Sequence, residues 1–439
     1  MPKRLKLTKN PFFRSTKLAK TGISLLAKEL GGKLSPETSL QTRIKQAKEI
    51  VDTLDQLKGG AMKVGQLLSI EFSDLLPDEV TNILFKLQDD SVFLDTSEIH
   101  SIIKSELGEE IFHKISDFSD TPIAAASIGQ VHTAVIDGKK VAIKIQFPGV
   151  KNTIDSDIAS AGRIIKTLLK IFGKNIHIDP ILEEIRLSLK DETDYEREAR
   201  AMSLYYETFS HDKRFKIPRP FPEFSSDKIL TMEYCDGQKI TNWLKVCNLS
   251  DMQKFCLNII DLVVMEFFDF GLIQTDPNFG NFLYDASTKE IVLLDFGAVR
   301  SYRGEYRKQI IEFVNCALKG DFEAVLNLSY TLGFIDARES TAIKDLYFSM
   351  IEAIIGIFRP ENQPFNFSNK QRIGEIRSSA IAFASNVKYS SPARNIIFVN
   401  RKIGGIFNLL READFSHDIT EYIASLNHPD RTFTEIEFN

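Results

Sequence analysis

Cysteine is scarce in this chain. The four present, Cys235, Cys247, Cys256 and Cys316, show no C-x-x-C spacing, which excludes a disulfide-rich secreted scaffold and a cysteine-based zinc site and points to a reducing compartment. The seven histidines are scattered and form no H-E-x-x-H pattern, so no transition-metal mechanism is expected. Long apolar runs are missing too: no window of about 18 residues is both uncharged and dominantly apolar. Even Asn258–Gln274 is interrupted by Asp261, Glu266 and Asp269, and reads as a buried helix rather than a membrane span. There is no internal repeat and no low-complexity tract. One absence is local. The first 28 residues contain no Asp or Glu, yet carry Lys3, Arg4, Lys6, Lys9, Arg14, Lys17, Lys20 and Lys28 in a chain of net charge −5. Two readings of this arm stand side by side. It is either a solvated tail or a segment held by anionic lipid at about 1 kcal/mol per charge, with Phe12 and Phe13 inserting. It is not a secretory signal, because no apolar stretch with a small-residue cleavage site follows; a short organelle-targeting peptide is the remaining alternative.

What the chain does have is concentrated near residues 271–300. Asp276 and Asn281 form a D-x-x-x-x-N pair, and Asp295-Phe296-Gly297 follows the apolar run Ile291–Leu294, which reads as a buried strand. An Asp285-Ala286-Ser287-Thr288 segment between two apolar stretches reads as a hairpin turn. The residue types suit nucleotide chemistry. Mg²⁺ is a hard cation that prefers carboxylate and amide oxygens, and it is the usual partner of triphosphate charge. In protein kinases a DFG Asp and a catalytic-loop Asn hold metal while the loop Asp accepts the proton of the attacking hydroxyl. Asp295, Asn281 and Asp276 fit those three roles in order.

Such a site needs a Lys on a strand for the α/β-phosphates and a helical acid to orient it. Val141-Ala142-Ile143-Lys144 supplies the strand, preceded by the turn Asp137-Gly138-Lys139. The acid lies in the run Asp191–Glu198. Glu192 and Glu198 are six apart, about 120° off a common face if one helix carries both, so they do not share one job. Glu198 is the expected Lys144 partner, with Glu192 and Asp194 assigned a separate polar contact. Where a Gly-rich phosphate loop would stand, the chain reads Ala124-Ala125-Ala126-Ser127. A Cβ at these positions narrows the backbone conformations that let N–H groups approach phosphate, so the nucleotide is expected to be held differently and transfer to a bulky protein to be weak. Glu233-Tyr234-Cys235 ends a strand where an adenine-binding hinge would lie, with Glu233 and Cys235 as nucleotide-contact candidates.

A further element, Gly59–Ser69, holds Lys63 and Gln66 one turn apart on a helix whose other face is Met62, Val64, Leu67 and Leu68. With it the chain resembles the UbiB/AarF family of atypical kinases, which includes the mitochondrial ubiquinone-biosynthesis kinases. The resemblance rests on K-x-G-Q at Lys63–Gln66, A-A-A-S at Ala124–Ser127, E-x-D at Glu192–Asp194, and Q-T-D-P-N with DFG between Gln274 and Gly297. It covers roughly residues 45 to 410.

The resemblance implies an α+β, two-lobed protein kinase-like fold with an N-terminal helical K-x-G-Q extension. It places Lys63 and Gln66 over the active-site cleft, gating it against Glu192 or Asp194, and links the alanine-rich loop to unusual nucleotide selectivity and suppressed autophosphorylation. The domains are then a basic arm at 1–35, the helical extension at 36–111, an N-lobe at 112–235 and a mainly helical C-lobe at 236–439. Within these, 36–60, 78–111 and 151–208 read as helical, and strands are expected near 127–133, 140–146 and 228–234. Loops are expected near 359–360 and 390–392.

The expected function is an atypical kinase or ATPase that uses ATP or ADP with Mg²⁺ and supports ubiquinone or other isoprenoid-lipid metabolism at a membrane surface. The alternative is a nucleotide-gated, non-catalytic scaffold or lipid-binding module. A conventional Ser/Thr protein kinase is disfavoured by Gln274-Thr275-Asp276 in place of H-R-D. Expected partners are nucleotide, isoprenoid or quinone-like lipid, an anionic membrane surface and lipid-biosynthesis proteins, with no nucleic acid. The expected location is cytoplasmic or peripheral on the inner face of a membrane, or an organelle matrix in a eukaryote.

Overall fold

The computed structural model describes residues 93–126, 128–173, 178–276, 278–302, 304–390 and 394–420, together with Tyr422 and Phe438. The basic arm, Lys63, Gln66 and Ser127 lie outside the described residues. The chain divides into two compact units. One runs up to Arg200 and takes in Arg219–Tyr234; the other comprises Ala201–Pro218 and the chain from Cys235 onward. Residues 201–218, expected with the first lobe, therefore belong to the second unit.

The described part of the first unit is built on a five-stranded sheet: β1 (Ile115–Ser116), β2 (Ala124–Ala126), β3 (Gly129–Ile136), β4 (Lys139–Gln146) and β6 (Ile229–Glu233). The order is β1-β3-β4-β6, and β2 pairs with the same strand, β3, as β1 does. The alanine run therefore adopts extended structure, with Ala124 opposite Val131 and Ala126 opposite Gly129. Strands β3 and β4 form a hairpin closed by Asp137 and Gly138, whose φ angles of 49° and 72° are those a two-residue type I′ turn requires and Asp-Gly supplies.

Period-two alternation then sorts β4. Val141, Ile143 and Ile145 join Ile99 and Ile103 of helix α1 (Thr96–Leu107) in a buried apolar cluster. Ala142, Lys144 and Gln146 point the other way. Gly129 allows a close backbone approach, since a Cβ there would stand 2.3 Å from the Ile145 carbonyl oxygen. Gly129→Ala should accordingly cost about 3 kcal/mol, the upper end of overpacking, read as a lowered urea midpoint.

Two helical expectations need correction. Of the helix expected over 78–111, residues 78–92 lie outside the described residues, 93–95 are not helical, and α1 ends at Gly108, which adopts φ 84°; the short helix α2 (Glu109–Phe112) follows it. The stretch 151–208 is three helices: α3 (Val150–Ile171), α4 (Asp179–Glu192) and α5 (Tyr195–Thr208). Gly173 at φ 68° stops the first, and Pro180 sits in the first turn of the second. Thr193 ends α4, and Asp194 restarts the chain as a cap by accepting from the Arg197 N–H at 2.9 Å.

The second unit, expected to be mainly helical with a hairpin around Asp285, carries further short strands. Ahead of its helices come β5 (Phe215–Lys216), β7 (Gln238–Lys239), α6 (Ile240–Trp243), α7 (Leu249–Val264), a π-helical turn (Met265–Phe270), β8 (Leu272–Gln274), β9 (Phe282–Asp285), β10 (Glu290–Leu293) and β11 (Val299–Ser301). Four of the strands make a sheet in the order β5-β10-β9-β7, and β8 pairs with β11. Strands β9 and β10 are an antiparallel hairpin. Its turn is held by the Asp285 carboxylate, which accepts from the Ser287 N–H at 2.8 Å and the Ser287 hydroxyl at 2.6 Å.

Helices α8 (Gly304–Lys319), α9 (Phe322–Leu332), α10 (Thr341–Ile355), α11 (Lys370–Asn386) and α12 (Arg394–Glu412) follow, with β12 (Phe365–Asn366) and β13 (Ser416–His417) paired around them. Ala317, Val325, Tyr347 and Ile351 form the core of the first three of these helices. No helix among the described residues is long and apolar enough to cross a membrane.

Candidate active site

In the first unit, the face of β4 opposite the apolar cluster carries Lys144. Its Nζ donates to both carboxylate oxygens of Glu198, each at 2.8 Å. Glu198 is fully buried in the first turn of α5, and Lys144 is 7% exposed. The Tyr195 ring, one turn earlier, lies 4.9 Å from the same ammonium. Gln146, two residues along the strand, donates to the Thr193 carbonyl at 3.0 Å and so ties β4 to the α4–α5 junction. Glu192 is buried at the end of α4, while Asp194 has one oxygen committed to its cap. The break at Thr193 thus puts Glu192 and Glu198 on different helices.

Ala124 is exposed on β2. Glu233 ends β6: its N–H donates to the Arg219 carbonyl at 2.8 Å and the Tyr234 N–H to the Lys140 carbonyl at 3.2 Å, so both amides are committed within this unit. The Cys235 thiol is half-buried at the start of the second unit's main segment.

The second unit gathers the other group. Asp276, 8% exposed, accepts from the Asn281 side-chain amide at 2.9 Å and from the Asn278 N–H at 3.2 Å. With its NH₂ spent on Asp276, Asn281 turns its amide oxygen away from that carboxylate. The Leu294 N–H donates to the Asn281 carbonyl at 3.0 Å, which holds the chain before Asp295 against Asn281. Asn281 and Asp295 line one small cavity, and Asp295 accepts from the Gly297 N–H at 3.0 Å. Phe296 is fully buried against Tyr205, ring centroids 4.9 Å apart.

Thr275 makes a link that sequence reading passed over: its hydroxyl and N–H both donate to the Ala298 carbonyl, at 2.7 and 3.2 Å, tying the Asp276 loop to the chain after Gly297. The signal was its place between Gln274 and Asp276. Glu266 was also passed over. It was noted only as a charge interrupting an apolar stretch, and such a charge on a buried helix commonly marks a paired or functional group.

The donor set fits Mg²⁺. No three His, Cys, Asp or Glu side chains cluster as a metal cage among the described residues. Mg²⁺ bound with a nucleotide needs only one or two carboxylates, because phosphate and water oxygens complete its shell. The amide oxygen of Asn281 and the carboxylate of Asp295 are hard donors on adjacent, mutually hydrogen-bonded segments.

These features are those of a protein kinase-like fold with atypical loops, and comparison with known proteins agrees. A profile described as the ABC1 atypical kinase-like domain matches residues 86–329. The mitochondrial atypical kinase COQ8 of Saccharomyces cerevisiae is 34% identical over 82% of this chain and 72% of its own length. The mitochondrial atypical kinase COQ8B of Danio rerio is 32% identical over 82% of this chain and 57% of its own length. The corresponding mitochondrial kinase of Caenorhabditis elegans is 32% identical over 83% of this chain and 48% of its own length. The chain thus spans about half to three-quarters of the length of these relatives. Among solved structures, the Rv3197–erythromycin complex from Mycobacterium tuberculosis shares the fold, with a TM-score of 0.58 at 24% identity over 87% of this chain and 96% of that one. The chain belongs to the ABC1 family of atypical kinases, the UbiB/AarF group whose signatures it carries.

Proposed function

We propose that this atypical kinase uses Mg²⁺-ATP, by phosphoryl transfer or hydrolysis, in support of ubiquinone or other isoprenoid-lipid metabolism at an anionic membrane surface. The observation that carries the nucleotide reading is the buried Lys144–Glu198 pair. Two charges withdrawn from water cost several kcal/mol each before their attraction is counted, so such a pair is a poor stabilising device. It is a good device for presenting an ammonium to phosphate in a fixed position.

In this reading Lys144, held by Glu198, carries the α/β-phosphates. Asn281 and Asp295 hold Mg²⁺, which supplies charge neutralisation at the transferring phosphate when bound. Asp276, anchored by Asn281 and Asn278, accepts the proton of water or of a small hydroxyl acceptor. Lys63 and Gln66 gate access against Glu192 or Asp194. Ala124, Ala125, Ala126 and Ser127 cover the phosphates, and Glu233 and Cys235 meet the base. The lipid pathway is supported by the relatives' identity as COQ8 proteins, and a mitochondrial location by their description as mitochondrial. The basic N-terminal arm supports the anionic surface.

The test is Mg²⁺-dependent phosphate release from ATP by the purified chain, with and without liposomes of anionic phospholipid, some of them loaded with an isoprenoid quinone. Release stimulated by anionic liposomes is expected. Nucleotide binding with no release under any condition would instead favour the nucleotide-gated scaffold. The alanine run has its own test. Ala124→Gly restores backbone freedom on β2 and is expected to raise phosphate incorporation into the protein itself by about tenfold, a change of about 1.4 kcal/mol. Incorporation equal to wild type would refute the steric role of Ala124.

A further inference from the structure

Glu266 and Lys402 are 1% and 3% exposed. Their charged atoms, Oε2 and Nζ, stand 2.9 Å apart, at an angle that makes them an ion pair rather than a hydrogen bond. Glu266 sits in the π-helical turn that continues α7, and Lys402 on α12, far along the chain. A buried pair of this kind needs additional hydrogen bonds to offset its desolvation. The other oxygen of Glu266 provides them, accepting from the Tyr205 hydroxyl at 2.8 Å and from the Gln274 N–H at 3.3 Å. Tyr205 shares its hydrogen with the Leu272 carbonyl at 3.1 Å, and burial together with the Glu266 charge pushes its phenol well above the usual pKa. Both ends of β8 are therefore fastened to one carboxylate and its phenol partner. β8 runs directly into Asp276.

A second observation joins this network to the metal donors. Glu266, Gln274 and Lys402 line the same small cavity as Asn281 and Asp295, and the Gln274 side-chain oxygen is buried there without a hydrogen-bond partner.

We propose that Lys402 and Glu266 are positioning residues for the metal-binding loop. Glu266 holds β8, and hence Asp276 and Asn281, by a charge-assisted bond to the Gln274 N–H, and Lys402 supplies the countercharge that keeps the carboxylate in place. Helix α12 thereby sets the order of the loop without touching nucleotide. This inference rests on the Mg²⁺-nucleotide reading, and its test is arranged to fail separately.

In the full chain, Lys402→Met keeps an unbranched apolar stem, one atom shorter, and removes the charge. It is expected to raise the Mg²⁺ concentration for half-maximal phosphate release by about tenfold. It is also expected to speed amide exchange at Gln274–Leu283 about tenfold while leaving β3 and β4 unchanged. A lowered melting temperature with wild-type Mg²⁺ dependence and wild-type exchange at Gln274–Leu283 would overturn the proposal and leave the pair a stability element only. Should Lys402→Met fail to fold, the double variant Lys402→Met/Glu266→Gln removes both buried charges while keeping an oxygen toward Gln274. It is expected to fold with the raised Mg²⁺ requirement, and a wild-type requirement in it would overturn the proposal. If wild-type protein releases no phosphate, the functional reading fails, yet exchange at Gln274–Leu283 still decides the positioning role.

Discussion

Asp295→Asn is expected to lower Mg²⁺-dependent phosphate release by on the order of 10³-fold, about 4 kcal/mol of transition-state stabilisation, with little change in folding. The structural reason lies in what the substitution keeps and what it removes. Asp295 accepts from the Gly297 N–H at 3.0 Å, and an amide oxygen can accept the same bond, so the turn around the buried Phe296 survives. The anionic charge that would face Mg²⁺ does not. Steady-state phosphate release across a Mg²⁺ titration, beside a urea unfolding curve, separates the two effects. Release within a few-fold of wild type in a folded variant would remove Asp295 from the metal site.

The second large effect concerns Lys144. Lys144→Met removes the ammonium that donates to both oxygens of the fully buried Glu198 carboxylate, and loss of one partner of a buried pair costs about 3–5 kcal/mol. Replacing both charges, as Lys144→Met/Glu198→Leu, is expected to recover most of that stability, because a well-packed apolar pair carries no desolvation cost. It is not expected to recover turnover. The single variant should therefore be unstable and inactive, and the double variant stable and inactive. A double variant that turns over nucleotide at the wild-type rate would show that the pair serves stability alone. A single variant as stable as wild type would contradict the burial that makes the pair costly.

How much of this was legible in the sequence depends on the range of the interactions. The β3–β4 hairpin was readable because the Asp137-Gly138 turn is local, and the two-residue period of any strand puts Lys144 on the face opposite Ile143. The β9–β10 hairpin was readable for the same reason, from the polar turn at Asp285 between apolar stretches. The helix breaks at Gly108 and Thr193 were not. The expected helices were drawn from long polar and apolar periodicity, which a single glycine or a restart capped by Asp194 interrupts without changing the pattern on either side. The strands of two or three residues β5, β7, β8 and β11 were missed because so few residues cannot display a period; each exists through pairing with a distant partner, as Phe215 does with Ile291.

The site shows the same division. Asp276, Asn281 and Asp295 were marked by fixed spacing. Their fastenings, Thr275 to Ala298 and Glu266 to Gln274 and Lys402, depend on tertiary contacts that no spacing announces. Glu266 came nearest to view, as an acid in an apolar helix, but nothing in the sequence pointed from it to Lys402.

The most direct measurement is calorimetric titration of ATP into the full chain with and without Mg²⁺, repeated on Asp295→Asn. Tight binding to wild type that requires Mg²⁺, with that Mg²⁺-dependent gain in affinity lost in the variant, is the expected result. Nucleotide binding that is indifferent to Mg²⁺ in wild type, or no binding at all, would contradict an Mg²⁺-nucleotide site built on Asn281 and Asp295.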